Sequence, residues 1–514
     1  MNNKPSGRKP NILFLMTDQQ RPDSLGCYGS DIALTPNLDA LAESGVVFDN
    51  CYVQNPLCCP SRYSILTGRY PHSHRVRANW YRVRDGETSF AHQMNRRGYN
   101  TAAIGKMHFT PWYDNFGFDG RIIAESKFHM ECPDDYERFL NAHGTSRTEL
   151  YDLDSETYRS NCSAVNSKVP QEQHIDSFVG LSVCEYLKRS SEPFCVFASF
   201  LSPHNPYDPP EPYDELFQNV EFPPRNMSEG EVNRKPSDAY DYINKRLNGE
   251  KANEAWDSTT DQLTDEQVRK MKAHYYATNT LVDDWVGRII EVLQSEEMYD
   301  DTIIIYSSDH GDLLGDHGLV FKQCFYEQSV RVPLIVHAPD LFDPRRVDDL
   351  VESIDLFDTI CDLGGARRGE GSQGKSLVPL LNGTENCEHR DAAFSENYFG
   401  RMVRYRDYKM VYYPGKPYGE IYNLAEDPRE QDNLWDALEG SSIKRELKDL
   451  LLEWAFASED DLPLPARPGH QDGRPRQYRL EGGDTVECEK QPWYIPGMDD
   501  VYASWDFSEK CRMR

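Results

Sequence analysis

The sequence predicts an α/β protein: a mixed, mainly parallel central sheet flanked by helices, with a smaller C-terminal α+β unit. Three observations predict it. Short β-rich apolar runs alternate with helical patterns over most of the chain. At 514 residues the chain is too long for one small core and fits a large α/β domain plus a smaller one. After about residue 385 the pattern changes to alternating segments that suit an antiparallel sheet. The expected division is therefore a large α/β domain over 1–385 and a smaller domain with an extended tail over 386–514.

Taken in order, Asn11–Thr17 (NILFLMT) reads as a buried strand, and Asn100–Ile104 as a short one. Phe194–Leu201 (FCVFASFL) and Thr302–Ser307 (TIIIYS) are two more. A polar, Pro- and Asp-rich stretch over about 205–263 reads as a loop region. A long helix follows from Asp265 to about Leu293, opened by Thr264 and Gln267 in capping-box spacing. Met402–Tyr413 (MVRYRDYKMVYY) alternates as sheet strands do, and a helix is expected over Ser442–Ala457. The tail from Pro463 ends in aromatics and could wrap the body or a neighbouring subunit, so a homo-oligomer is one expectation.

Composition narrows the function. A net charge of −29 argues against nucleic-acid binding, which runs on clustered Lys and Arg. No apolar run reaches membrane-span length, so no membrane partner is expected. Residues 1–10 lack the apolar core of a secretory signal. Thirteen Cys without paired spacing argue against a disulfide framework, and the expected compartment is the cytoplasm.

Each of the four apolar runs ends in residues of catalytic type: Asp18-Gln19, Lys106 with His108, His204, and Asp309-His310. In open α/β sheets the ligand site lies beyond the carboxyl ends of the strands. Asp18 and Asp309 are hard oxygen ligands suited to a divalent cation, Gln19 can add a carbonyl oxygen, and His310 an imidazole. Singly, each has an ordinary explanation as a cap or a packed turn residue. Together, the two aspartates favour a metal.

The segment Cys58-Cys59-Pro60-Ser61-Arg62 through Gly68 adds the reactive element. Pro60 suits a first helical turn and Gly68 a C-terminal cap, which puts Cys58 at a helix N-terminus. Free backbone N–H groups there attract anions, and Arg62, one turn on, shares the same face.

C-x-P-S-R-x-x-x-L-T-G, filled by Cys58 to Gly68, resembles the signature of formylglycine-dependent (type I) sulfatases of the alkaline phosphatase superfamily. The resemblance extends, in order, to M-T-D-Q-Q, G-K-M-H at 105–108, S-P-H at 202–204, S-D-H-G-D at 308–312, Lys322, R-V-P-L-I-V at 331–336, and Y-N-L-A-E-D-P-R-E-Q-D-N-L at 422–434. It implies an alkaline-phosphatase-like fold and a sulfuric ester hydrolase acting on a sulfated carbohydrate or aryl alcohol. It implies that a maturation enzyme oxidises Cys58 to formylglycine, whose hydrate attacks sulfur to give a covalent sulfate ester. Asp18, Gln19, Cys58, Asp309 and His310 would hold one divalent metal, calcium first and manganese second. Arg62 and Lys106 would hold the formylglycine, and Lys106 and Lys322 would balance charge on the sulfate. His108 would assist ejection of sulfate, and His204 would protonate the leaving oxygen.

Gln19 and His310 stand where much of that family carries Asp and Asn. This variant also resembles related phosphonate monoester and phosphodiester hydrolases, which form the alternative. Asn79 and Trp80 are candidates for a pocket wall. His72, His74 and His317 are expected to serve packing or turns. Substrate choice is expected from loops at about 75–82, 109–170 and 205–263.

Overall fold

A computed structural model describes residues 9–459, apart from 128–129, 131–132, 152–160, 232–262, 339, 370, 385–386 and 388. Beyond 459 it describes only residues 495, 498 and 502. The expected boundary at 385/386, most of the 205–263 loop and nearly all of the tail lie outside the described residues.

Eight strands form the central sheet: β1 (Asn11–Asp18), β2 (Val46–Tyr52), β3 (Asn100–Gly105), β4 (Gly120–Ile123), β5 (Phe194–Pro203), β6 (Thr302–Ser308), β7 (Arg331–His337) and β8 (Arg345–Glu352). Their order is β4-β3-β5-β1-β6-β7-β2-β8. All neighbours pair in parallel except β7, which runs antiparallel to both β6 and β2. The sheet is thus mixed and mainly parallel, as the alternation of strand and helix patterns requires.

Strand β1 shows why its sequence is apolar throughout. Ile12, Phe14 and Met16 enter the hydrophobic cluster on one face, and Leu13 and Leu15 enter the cluster on the other. Successive side chains point to opposite faces, so a strand covered on both sides has no polar alternate. The Asp265–Ser295 helix covers one face, opened by the capping box of Thr264 and Gln267. It crosses the Ile175–Arg189 helix at Gly180, where a Cβ would lie 2.4 Å from the Trp285 ring. Only glycine permits that approach.

The second sheet is antiparallel, in the order β12-β11-β10-β9: β9 (Ala392–Glu396), β10 (Arg401–Tyr405), β11 (Tyr408–Tyr412) and β12 (Gly419–Asn423). The alternating Met402–Tyr413 segment is two strands, because a turn at Arg406-Asp407 folds it onto itself. The Ser442–Ala457 helix packs on this sheet through Leu447, Leu451 and Trp454. From the tail, Tyr502 packs on Phe178 of the chain's own body, ring centroids 5.3 Å apart. Among the described residues no helix is long and apolar enough to cross a membrane.

Candidate active site

The strand order brings the predicted residues to one edge. Strands β3, β5, β1 and β6 are consecutive neighbours, and their carboxyl ends carry Lys106 and His108, His204, Asp18, and Asp309 with His310. At the end of β3, Gly105 has φ +90°, and a Cβ there would sit 2.1 Å from the Ser199 carbonyl oxygen. That glycine turns the chain and delivers Lys106 to the site.

The Cys58–Thr67 helix begins at Cys58 and ends at Gly68, which adopts φ 68°. All ten of its residues are buried. The Cys59 N–H donates to Asn79 Oδ1 at 3.0 Å, so Asn79 caps this helix from outside its own segment. Cys58 Sγ lies 3.2 Å from His310 Nε2 and 3.8 Å from Asp18 Oδ1. In an oxidised side chain, oxygens would stand where this sulfur is.

Asp18, Cys58, Asp309 and His310 each offer one ligand atom, and these atoms all lie within 4.8 Å of one another. His310 Nδ1 is 3.0 Å from the Gly311 carbonyl, to which its N–H donates. Its Nε2 is therefore the nitrogen turned toward the cluster, and the carbonyl that holds Nδ1 fixes the ring's orientation, as is usual for a ligating imidazole. Two carboxylates, one imidazole and the Cys58 position form an oxygen-rich donor set that fits a hard divalent cation.

Arg62 is fully buried and organises the carboxylates. Its Nε donates to Asp309 Oδ2 at 2.7 Å and one terminal nitrogen to Asp18 Oδ2 at 3.1 Å. The other donates to Ser199 Oγ at 2.9 Å and to the Lys106 carbonyl. Every donor atom is engaged on these groups rather than on Cys58. Lys106 Nζ adds a bridge of 2.7 Å to Asp18 Oδ2. Burial opposes ionisation of Asp18, but Lys106, His204, Arg62 and Lys322 hold its carboxyl well below the usual range. Burial likewise raises Cys58, as does Asp18, yet Lys322, His310 and Lys106 bring the thiol below its ordinary value.

Gln19, at φ 74°, directly follows Asp18 at the end of β1. Its Oε1 accepts from Lys322 Nζ, its Nε2 donates to Asp312 Oδ2, and its N–H donates to Asp309 Oδ1 at 3.0 Å. His108 and His204 flank the cluster. Burial first, then nearby lysines, pushes both imidazoles well below their ordinary value. His204 donates from Nδ1 to the Asn205 carbonyl at 2.6 Å, whereas His108 Nδ1 has no hydrogen-bond partner. Trp80 is 70% exposed and lies edge-on to His108, centroids 4.9 Å apart.

The other histidines pack. His74 is buried, 3.0 Å from Ser64 Oγ, and burial pushes it down to about 3. His72 pairs with Glu396 at 2.6 Å, and His317 stacks on Tyr326 and pairs with Glu231 at 2.7 Å. Sequence reasoning missed three supports. Asp312 and Tyr207 fix Gln19, and Glu125 receives the N–H groups of Met107 and His108 at 3.2 and 2.7 Å. Asp312 stands within the quoted S-D-H-G-D stretch. Glu125 carries no local signal.

The sulfatase family model matches residues 10–366, and the model for the C-terminal part of N-sulphoglucosamine sulphohydrolase matches 315–456. The chain belongs to the sulfatase family. It is a hydrolase of sulfate esters in the alkaline phosphatase superfamily. An arylsulfatase of Clostridium perfringens (strain 13 / Type A) is 28% identical over 476 residues, covering 87% of this chain and 94% of that one. A choline-sulfatase of Rhizobium meliloti (strain 1021) is 30% identical over 441 residues, covering 83% and 82%. Among solved structures, a phosphonate monoester hydrolase of Agrobacterium radiobacter superposes with TM-score 0.76 at 25% identity, covering 88% of this chain and 96% of that one.

Proposed function

We propose that this sulfatase cleaves a sulfate monoester of a carbohydrate or aryl alcohol, with Cys58 converted to formylglycine by a maturation enzyme. The observation that carries it is the placement of Cys58 at a buried helix start, within reach of Asp18, Asp309 and His310. Asp18, Gln19, Asp309, His310 and the modified Cys58 hold one divalent ion, calcium in first place and manganese in second. A divalent ion held by these residues would make the nucleophilic hydroxyl more acidic and would offset negative charge on the sulfate oxygens. Residues 1–385 form the catalytic domain and 386–514 the smaller one.

The chain's own groups do the rest. Arg62 fixes the two aspartates so that their lone pairs converge. Lys106 and Lys322 offset the charge that grows on the transferred group. His204, oriented by its Nδ1–H bond, hands a proton from Nε2 to the leaving oxygen. In the free site burial first, then Lys322 and Lys106, disfavours protonation of that ring; an arriving anion offsets the lysines' charge and favours proton uptake at Nε2. His108, neutral and unpartnered at Nδ1, accepts the proton released as sulfate departs.

The test uses protein whose Cys58 is shown by mass spectrometry to carry the aldehyde. The expected outcome is a higher kcat/KM for an aryl sulfate than for an aryl phosphonate monoester or a phosphodiester, abolished by Cys58→Ala. Preference for the phosphonate would overturn the substrate class. Full activity of Cys58→Ala would overturn the mechanism.

A further inference from the structure

We infer that Glu125 is a positioning residue for His108: its carboxylate clasps two successive backbone N–H groups and so sets where the imidazole stands. The inference rests on the sulfatase reading, in which His108 takes up a proton as sulfate departs, and it names what holds that ring in place.

The sheet delivers Glu125 to this position. Strands β3 and β4 run parallel, with Gly105 opposite Ile123. The Ala124 N–H donates to the Gly105 carbonyl at 3.4 Å, and there the side chain of Glu125 takes over from the ladder. Its Oε1 accepts the Met107 N–H at 3.2 Å, and its Oε2 accepts the His108 N–H at 2.7 Å. A buried N–H without a partner is costly, so these two bonds dictate the path of the chain past the end of β3.

His108 depends on such a hold. Its backbone stands at φ 59°, in the left-handed region that a non-glycine residue keeps only when its surroundings hold it there. Its ring lacks the usual anchor. A working histidine is ordinarily oriented through its second ring nitrogen, as His204 is by its Nδ1 bond of 2.6 Å to the Asn205 carbonyl. His108 Nδ1 is buried with no hydrogen-bond partner. The placement of the ring therefore follows from the backbone, which is gripped on both sides: Glu125 takes the N–H, and the Cys59 thiol donates to the His108 carbonyl at 3.1 Å.

Glu125 is itself fixed. It is 7% exposed, and its Oε1 also accepts from Arg121 Nη2 at 2.9 Å. Its N–H donates to Asp134 Oδ2 at 3.3 Å, and Arg147 holds that same oxygen at 2.6 Å. Arg121 Nη1 donates to the Trp112 carbonyl at 2.8 Å, which ties the chain beyond His108 to the same bracket. A long side chain that could swing freely is thus held at both carboxylate oxygens.

The experiment uses aldehyde-bearing protein and 4-nitrophenyl sulfate. Glu125→Gln keeps the size and one acceptor oxygen; Glu125→Ala removes both acceptors. The expected fall in kcat is about tenfold in the first and about 10²-fold in the second, with KM little changed, because a displaced proton acceptor costs rate rather than binding. Two readouts separate positioning from a general loss of structure. His108 acts after the alcohol has left, so both variants should release a burst of 4-nitrophenol equal to the enzyme present and then turn over slowly. In the His108→Ala background the same substitutions should lower kcat by less than about twofold more, since the group they place is gone. An unchanged kcat in Glu125→Ala, a loss without a burst, or a loss as large in the His108→Ala background as in wild type overturns the positioning. If Glu125→Ala does not fold, Glu125→Gln decides by the same criteria. Full kcat in His108→Ala alone overturns the role given to His108, and the positioning with it. Absence of turnover by wild type, with the aldehyde present, sinks the underlying reading instead.

Discussion

Replacing Arg62 by Met tests how the metal-site carboxylates are held. Arg62 and both carboxylates are fully buried, with nitrogen–oxygen distances of 2.7 Å to Asp309 and 3.1 Å to Asp18. Without Arg62, Asp18 keeps Lys106 at 2.7 Å, but Asp309 is left with only the His310 imidazole at 3.7 Å, which carries charge only when protonated. Breaking a buried ion pair by removing one partner costs about 3–5 kcal/mol, because the other charge stays buried. At a few degrees per kcal/mol, that is a fall in Tm of about 5–10 °C for a body of this size. The measurement is thermal unfolding in the presence of a chelator, since a bound cation would replace the missing charge. Unfolding of a chain this long is read as an apparent midpoint rather than as a free energy. In the Asp309→Asn background the same substitution should cost less by about 1–3 kcal/mol, since the charge that Arg62 neutralises is gone. A shift below about 2 °C, or one unchanged by Asp309→Asn, refutes the reasoning.

Three further outcomes are expected. Chelation of wild-type protein should abolish turnover, with calcium restoring more of it than manganese; activity indifferent to chelator contradicts the assignment of Asp18, Asp309 and His310 as ligands. His108→Ala should lower kcat by about 10²–10⁴ with little change in KM, measured at steady state. Glu352 joins the two sheets, receiving the Tyr70 hydroxyl at 2.7 Å, the Phe394 N–H at 2.7 Å and Arg390 at 2.7 Å. Burial pushes it up to about 7, although Arg390 opposes this. The folded state therefore binds this proton more tightly than the unfolded chain: the stabilisation is complete below the unfolded carboxyl value near 4.5 and is lost as pH rises through about 7. Glu352→Gln should flatten the fall in Tm between pH 5 and 8, a contribution on the order of 3 kcal/mol at most.

The strands that matter were legible because burial on both faces leaves no polar alternate, as in β1, and because each ends abruptly in an ionisable residue. The adjacency of β3, β5, β1 and β6 was legible only in part. Four ionisable termini implied a shared edge, but nothing local in the sequence encodes the order of the strands. The Cys58 helix announced both its ends, through Pro60 and Gly68. What stayed hidden was long-range support. Asn79 caps a helix that begins 21 residues earlier in the chain. Glu125 holds the Met107-His108 backbone from a loop with no motif of its own. Such contacts depend on where two loops meet, and a single sequence carries no periodicity that reports it. The Met402–Tyr413 segment shows the same limit from another side: alternation identified sheet, but not the turn at Arg406-Asp407 that divides it.

The charge of the whole chain does not carry over to its site. The protein carries −29 overall, whereas around Cys58 three buried cations, Arg62, Lys106 and Lys322, stand among three carboxylates, Asp18, Asp309 and Asp312, before any divalent ion is added. In physiological salt, charges on the surface are screened within about 8 Å, while buried ones are screened far less. The acidic exterior therefore serves solubility and has little reach into the site, where the buried cations and carboxylates around Cys58 set the response to an arriving anion.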